Sequence, residues 1–407
     1  MKKTFFKTTV FAAAITTALT LFSCSDSDDN MMDNSYERMI TFENVVTPKD
    51  FVQSGSFQGV GNPPVIMPGQ AVSIKFNAGK TQALMFATMY GLSKDWFFAS
   101  QQPGIRLFDS NGNAITGDVS SGVLLWDNGT KDNMTGQAES KPIVQVPNVN
   151  ASQLMKLNLA YNDVTSEFIL TITNTSGGTA NETPFSPGVW AVSNYNGSQL
   201  LNSSPFFTPN ALSNPEITDI AQGGDITKMK TKLMANTGIM TGLSPALVVV
   251  YRGDKNPIYE LGKADTGIGL KEIAQSGNVA KLQNSLKSLP NVKGVYVAGS
   301  APVPPGNKIM TGFKADPGDK IAYATMFGFS NDWFYANDQS IDANVKGDLT
   351  SKTSLFDSGT GVDQYPGAGN RQALFGGTPQ SENIPISKVG NQYPVPAVQN
   401  VIKVTVN

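Results

Sequence analysis

Residues 324–336 read ATMFGFSNDWFYA, and residues 87–99 read ATMYGLSKDWFFA. Nine of the thirteen positions are identical, among them the serine, aspartate and tryptophan of a Ser-x-Asp-Trp block. Agreement at this level within one chain indicates an internal duplication. The copies stand much farther apart than the roughly 20–50 residues of solenoid repeats. We therefore expect two domains of the same fold.

The segments around the block repeat in the same order. Residues 125–130 (LWDNGT) are matched by residues 355–360 (LFDSGT), and residues 168–174 resemble the first strand-like segment, 39–46. Short apolar runs alternate with turns in a chain that has 39 Gly and 24 Pro, which favours strands over long helices. The predicted fold class is mainly β, with two tandem antiparallel β-sandwich domains and short helices in the connections.

The repeats also suggest domain boundaries. We predict the first sandwich over residues 38–164 and the second over residues 165–407. A smaller strand–helix unit within residues 186–240 has a Ser-Pro start that recurs at Ser244-Pro245. The sequence allows this unit in either domain.

The N-terminus has the composition of an export signal. Residues 1–23 begin with lysines and continue as an apolar run that is too short to span a bilayer. The run ends at Leu21-Phe22-Ser23-Cys24, which resembles a bacterial lipobox and makes Cys24 the predicted lipidation site. Residues 24–37 are predicted to be an acidic tether, similar to a surface-export signal of bacterial lipoproteins. These features predict a lipid-anchored protein of the outer membrane or cell surface. An ordinary signal peptide with an incidental cysteine is the alternative.

Composition excludes several chemistries. The chain has no histidine and one cysteine, so Ser-His-Asp catalysis, His-ligated zinc and an intramolecular disulfide are ruled out. The net charge of −2 gives no reason to expect nucleic acid as a partner. Carboxylate pairs, Lys, Tyr and Ser-Lys sites are the enzyme chemistries that remain.

The paired motifs resemble the bacterial form of the spondin N-terminal domain. The resemblance rests on the Ser-x-Asp-Trp-Phe block, the later Asp-x-Gly-Thr motif, the Pro-Gly before the central strand and the Tyr-Pro-Gly-Ala-Gly at 365–369. It covers nearly all of residues 40–407 in two copies. It implies a β-sandwich of about eight antiparallel strands, a bound calcium ion, and a role in adhesion or matrix association without enzymatic activity.

The resemblance also implies metal ligands. Two of the family's ligands are the aspartates of the Ser-x-Asp-Trp and Asp-x-Gly-Thr motifs, which in this chain are Asp95 and Asp127 in copy 1 and Asp332 and Asp357 in copy 2. Calcium prefers several hard oxygen ligands that converge from loops, and strand ends that meet at one edge of a sandwich can supply them. An aspartate before Trp at a strand end can also be a simple turn cap, so this bland alternative stays open.

The third ligand of the family, an acidic residue four positions after the second, is absent. Lys131 and Gly361 stand there, and Asp132 and Asp363 are the nearest acidic candidates. In copy 1, Lys94 and Lys131 place two ammonium groups near the candidate ligands, which opposes the binding of a divalent cation. We therefore expect calcium in copy 2 rather than in copy 1.

Three functions remain compatible with these residues. The favoured one is a lipid-anchored envelope protein that presents the two domains to an extracellular glycan or protein ligand. The second is a carbohydrate-active or other hydrolytic lipoprotein that uses the aspartate pairs as general acid and base. The third is a structural envelope component without metal sites.

Overall fold

The structure is a computed structural model that describes residues 35–196, 199–200 and 206–407. The predicted signal peptide 1–23, Cys24 and most of the predicted tether 24–37 lie outside the described residues. The tether prediction extends too far at its end, because the first strand already begins at Tyr36. The chain is mainly β with antiparallel sheets, which confirms the predicted fold class.

Short strands make up most of the regular structure, and the helices lie between them. The strands as far as the first helical pair are β1 (Tyr36–Asn44), β2 (Phe51–Phe57), β3 (Ala71–Asn77), β4 (Ala83–Tyr90), β5 (Trp96–Ser100), β6 (Ile105–Arg106), β7 (Gly117–Asp118), β8 (Val123–Asp127), β9 (Val144–Gln145), β10 (Met155–Asn162), β11 (Glu167–Asn174), β12 (Phe185–Ser193), β13 (Tyr195–Asn196) and β14 (Gln199–Leu200). The later strands are β15 (Ala246–Tyr251), β16 (Val292–Ala298), β17 (Lys308–Ala315), β18 (Lys320–Met326), β19 (Trp333–Asn337), β20 (Ile341–Asp342), β21 (Gly347–Asp348), β22 (Thr353–Asp357), β23 (Ser387–Lys388) and β24 (Ile402–Val406). The α-helices are α1 (Ala151–Leu154), α2 (Pro215–Gly223), α3 (Thr227–Ala235), α4 (Leu270–Ser276) and α5 (Ala280–Lys287). No helix of the described part is long and apolar enough to cross a bilayer.

The first sandwich packs a four-stranded sheet against a seven-stranded one. The smaller sheet has the order β3-β11-β10-β7, and the larger has β2-β12-β4-β5-β8-β9 with β6 beside β4. Alternating side chains of β11, Phe168, Leu170 and Ile172, are fully buried against Phe86 and Phe98 of the larger sheet. This alternation is typical of a sheet with one face on the core and one in solvent.

The second sandwich repeats this plan with different strands. Its smaller sheet has the order β17-β1-β24-β21, and its larger sheet has β16-β15-β18-β19-β22-β23 with β20 beside β18. Ile40 and Phe42 of β1 are buried between the sheets together with Tyr323, Trp333 and other residues of the larger sheet. The duplicated block therefore spans the same two adjacent central strands in both sandwiches, β4–β5 and β18–β19.

A pair of helices covers the outer face of each larger sheet. Helices α2 and α3 bury Ile217, Ile220 and Met229 against the first sheet, and α4 and α5 bury equivalent apolar residues against the second. Helix α2 begins at Pro215 and is capped by Asn214, whose side chain accepts a hydrogen bond from the amide of Ile217. Because both faces of the central strands are covered, these strands are buried along nearly their whole length rather than on alternate residues.

Strand pairing divides the chain differently from the predicted ranges 38–164 and 165–407. Strand β1 pairs with β17 and β24, so it belongs to the second sandwich. Strands β11 and β12 pair with strands of the first sandwich, and the unit at 186–240 joins it with helices α2 and α3. In strand order β1 takes the place in the second sandwich that β11 takes in the first. The first sandwich is thus inserted between β1 and the remainder of the second.

Candidate metal centre

The serine of each block shapes the turn that precedes the aspartate. Ser330 Oγ donates to the carbonyl of Phe327 at 2.7 Å and accepts from the amide of Trp333 at 3.0 Å. Ser93 makes the same pair of bonds, to Tyr90 and Trp96. The serine therefore closes a tight turn between two strands, which directs the next aspartate inward.

Strand pairing brings the two aspartate motifs together. Trp333 stands opposite Asp357 in the β19–β22 register, and Trp96 stands opposite Asp127 in the β5–β8 register. Asp332 and Asp95, one residue earlier, are both 0% exposed. In both copies the two motifs therefore lie side by side on adjacent strands.

The two carboxylate oxygens of Asp332 have different surroundings. Its Oδ2 accepts from the hydroxyl of Ser358 at 2.7 Å, from Thr360 N and Oγ1 at 2.7 and 3.2 Å, and from Gly361 N at 2.9 Å. Its Oδ1 is buried and accepts no N–H or hydroxyl hydrogen bond within the described residues, and the carboxyl group of Asp357 lies within hydrogen-bond reach of Asp332. A buried carboxylate oxygen without a donor is costly, so a proton held by the neighbouring Asp357 or a bound cation would stabilise it.

Three further carboxyl groups lie near Asp332. Burial, followed by the charge of Asp332, raises the pKa of Asp357 to about 7. Burial, followed by the charges of Asp357 and Asp332, raises the pKa of Asp363 to about 8. The pKa of Glu382 is also raised, first by burial and then by Asp332. One oxygen of Asp363 is buried without a donor as well, and the indole of Trp333 lies beside this side chain. Several acidic groups therefore share one buried region.

In the first copy, an asparagine amide lies where the second copy has an additional carboxylate. Asp95 Oδ2 accepts from Thr130 and Lys131 as Asp332 does from its own loop. Asp127 Oδ2, however, accepts from the indole of Trp96 and from Asn133 Nδ2, both at 3.0 Å. When the two Asp-x-Gly-Thr motifs are overlaid without gaps, Asn133 occupies the position of Asp363. A neutral donor in copy 1 therefore replaces a carboxylate of copy 2.

Asp132 does not join the first site, contrary to the prediction. Its Oδ1 accepts from the amides of Met134 and Thr135 and from the Thr135 hydroxyl. These bonds, led by the Thr135 amide, lower its pKa. The residue is a turn cap, because it is five positions after Asp127 whereas the inward position is the sixth. Asp95, Asp127, Asp332, Asp357 and Asp363 lie where the two motifs meet.

The carboxyl groups do not yet converge as a preformed metal site. Across residues 35–196, 199–200 and 206–407, no three His, Cys, Asp or Glu side chains already stand as a metal-holding group. The second copy nevertheless brings together the carboxyl oxygens of Asp332, Asp357 and Asp363, two of which are buried without a hydrogen-bond donor, and such oxygens are the ligands of a hard cation such as calcium. The residues fit calcium, provided that the carboxylates of Asp332, Asp357 and Asp363 converge on the ion. In the first copy Asp95 Oδ1 is also buried without a donor. That copy fits calcium less well because Asn133 donates a hydrogen bond to Asp127 and stands where the second copy has the carboxylate of Asp363.

Two residues of these sites were missed by sequence reasoning. Glu382 comes from a distant part of the loop that follows the Asp-x-Gly-Thr motif, and no spacing pointed to it. Asn133 could have been found, since an ungapped overlay of DNGTKDN on DSGTGVD places it opposite Asp363. No family model matches this chain, and no curated protein matches it.

Proposed function

We propose that this chain is a lipid-anchored envelope protein that presents two spondin-like β-sandwiches as a binding or adhesion module. In this proposal the second sandwich holds one calcium ion and the first holds none. The calcium role rests chiefly on the group Asp332, Asp357 and Asp363. Asp332 is fully buried and leaves one carboxylate oxygen without a donor, which is also true of Asp95, but only the second copy adds a third carboxyl group, Asp363, with a buried oxygen of the same kind. The anchor rests on the lipobox-like residues 21–24, and the module's ligand would be an extracellular glycan or protein.

The residues available to the ion have separable tasks. Asp332, Asp357 and Asp363 would supply the carboxylate oxygens. Ser358 and Thr360 hold Asp332 in place through its other oxygen. The bound ion would neutralise the mutual repulsion of the carboxylates and so stabilise the loop that carries them. Because Asp332 is buried, the pair Asp332 and Asp357 does not lie in the open cleft that a glycoside substrate needs. This argues against the hydrolytic alternative.

Calcium is expected to stabilise the wild-type protein against heat. At a hundredfold excess over Kd, a single site contributes about 2.7 kcal/mol, which raises Tm by about 5–10 °C for a domain of this size. Differential scanning calorimetry and isothermal titration with CaCl2 would measure both quantities and the stoichiometry. We expect one ion per chain.

The duplication supplies a matched control for that experiment. Asp332→Ala with Asp357→Ala should abolish the calcium-dependent rise in Tm. Asp95→Ala with Asp127→Ala removes the equivalent residues of the first sandwich and should leave the rise unchanged, although the basal Tm will fall. A wild-type protein whose Tm ignores calcium would contradict the proposed ion site.

Exchanging one residue between the copies gives a further prediction. Asp363→Asn should abolish calcium binding in the second sandwich. Asn133→Asp should destabilise the calcium-free first sandwich by about 1–3 kcal/mol, because it removes a donor to Asp127 and adds a like charge. Urea unfolding monitored with and without calcium would report both effects. Equal calcium affinity of Asp363→Asn and wild type would show that this carboxylate is not a ligand.

A further inference from the structure

The loops that follow the two Asp-x-Gly-Thr motifs differ in length. In the first sandwich residues 128–143 connect β8 to β9, whereas in the second residues 358–386 connect β22 to β23. The longer loop carries Asp363 and then leaves its own sandwich to lie against the first. We call residues 361–377 the docking segment. The sandwich with the larger set of carboxylates is therefore also the one whose site loop reaches the other sandwich.

Polar contacts hold the docking segment on two turns of the first sandwich. These contacts run from Gln364 Nε2 to the carbonyls of Asp163 and Val164 at 3.3 and 3.1 Å, from Gln82 Nε2 to Gly367 O at 2.9 Å, from Asn370 N to Ser166 Oγ at 3.0 Å, and between the Arg371 guanidinium and the Asp163 carboxylate. Gln82 and Ser166 are buried, so their bonds are shielded from water.

Apolar contacts complete the same interface. Ala368 is fully buried and belongs to the core of the first sandwich, although it lies on a loop of the second. Tyr365 packs against both cores. The ring of Phe375 covers Gly79 so closely that an added Cβ there would lie 2.3 Å from it. The docking segment is thus a shared part of two hydrophobic cores rather than a surface contact.

Residues at the candidate ion site also accept hydrogen bonds from the docking segment. Asp332 accepts from Gly361 N, at the start of the segment. The neighbouring Asn331 is buried, and its Oδ1 accepts from Gln364 N at 3.0 Å and from Gln372 Nε2 at 3.3 Å. Asp363 immediately precedes Gln364, which contacts the first sandwich. Copy 1 has Lys94 in place of Asn331, so the two hydrogen bonds to Asn331 Oδ1 are particular to the second copy, whereas the bond from Gly361 to Asp332 has its counterpart in Lys131 and Asp95.

We propose that ion binding at Asp332, Asp357 and Asp363 is coupled to docking of the segment 361–377 on the first sandwich. This inference rests on the proposed calcium function. An ion that draws Asp363 toward Asp332 fixes the first residues of the segment and lowers the entropy that docking must overcome. By linkage, the docked segment raises calcium affinity by the same factor. Calcium would then set how firmly the two sandwiches are held together.

Hydrogen exchange of the wild-type protein with and without calcium tests this coupling. Peptides that cover residues 355–363 report ion binding itself, whereas peptides over residues 77–84 and 161–168 report the first sandwich, which supplies no ligand. We expect calcium to slow exchange about fivefold or more in both sets. Slowing confined to residues 355–363 would overturn the coupling and leave the calcium site intact. No slowing anywhere would overturn both.

A glycine substitution separates docking from ligation. Gly79→Ala is neutral, keeps every carboxylate, and places a methyl group against the ring of Phe375. We expect it to weaken calcium binding about fivefold or more and to remove the calcium response of residues 161–168. Gly223→Ala adds a methyl group that meets nothing within 4 Å and should behave as wild type. If Gly79→Ala binds calcium with wild-type affinity while the residues 161–168 exchange faster, the two events are independent.

Discussion

Removal of residues 35–44 is expected to unfold the second sandwich, although these residues stand at the opposite end of the chain from its last strand. Strand β1 is an interior strand between β17 and β24, so its loss leaves two unpaired edges and opens the core. Phe42 is fully buried on this strand and stacks edge-to-face on Tyr323. Phe42→Ala alone should cost about 3–5 kcal/mol. Chemical denaturation followed by hydrogen exchange would assign the loss to the second sandwich.

The matched control is Phe168→Ala on β11, the strand that holds the equivalent place in the first sandwich. Phe168 is also fully buried, and it contacts Phe76 and Phe108. It should destabilise the first sandwich by a similar amount while the second keeps its exchange protection. A Phe42→Ala protein in which the first sandwich loses protection first would contradict the strand assignment.

The fold class was predictable because it depends on local signals. Short apolar runs, Pro-Gly turns and the repeated block predict strands and two similar domains, and these are present. The partner of β1 was not predictable in the same way, because strand pairing is a long-range choice and neighbours in sequence pair only about two-thirds of the time. The likeness of residues 39–46 to residues 168–174 was the available signal that β1 and β11 play one role in different sandwiches.

The two aspartate pairs of the candidate sites could be predicted from the sequence, but the other residues that surround them could not all be predicted. Asp332 with Asp357, and Asp95 with Asp127, follow from two motifs on adjacent strands. We expected the first copy to bind calcium less well because of the charges of Lys94 and Lys131. In the structure, two asparagine side chains distinguish the copies instead. Asn133 donates a hydrogen bond to Asp127, and Asn331 accepts one from Gln364 of the docking segment. The position of Asn133 is visible in an ungapped overlay of the two motifs, whereas the role of Asn331 depends on the path of the loop 361–377, which no residue spacing reveals.

Calcium affinity should rise steeply between about pH 6 and pH 8. The pKa of Asp357 is about 7 and that of Asp363 about 8 without an ion, both raised chiefly by burial. A carboxyl group must lose its proton to bind calcium, so binding releases protons below these values. Each released proton changes the affinity about tenfold per pH unit. Titration calorimetry at pH 6, 7 and 8 in buffers of different ionisation enthalpy would count the protons.

The stability of the calcium-free protein should fall as pH rises, whereas its calcium affinity increases. An aspartate titrates near pH 3.9 when the chain is unfolded, whereas Asp357 and Asp363 keep their protons up to about pH 7 and 8 in the folded state. Between these values the folded state binds more protons, so the free energy of unfolding falls as pH rises. Tm without calcium should therefore decline from pH 5 to pH 8, and calcium should offset the decline. Asp363→Asn should flatten both curves, because an amide carries no charge to bury. A Tm that rises across this range without calcium would show that these carboxyl groups are already ionised and separated.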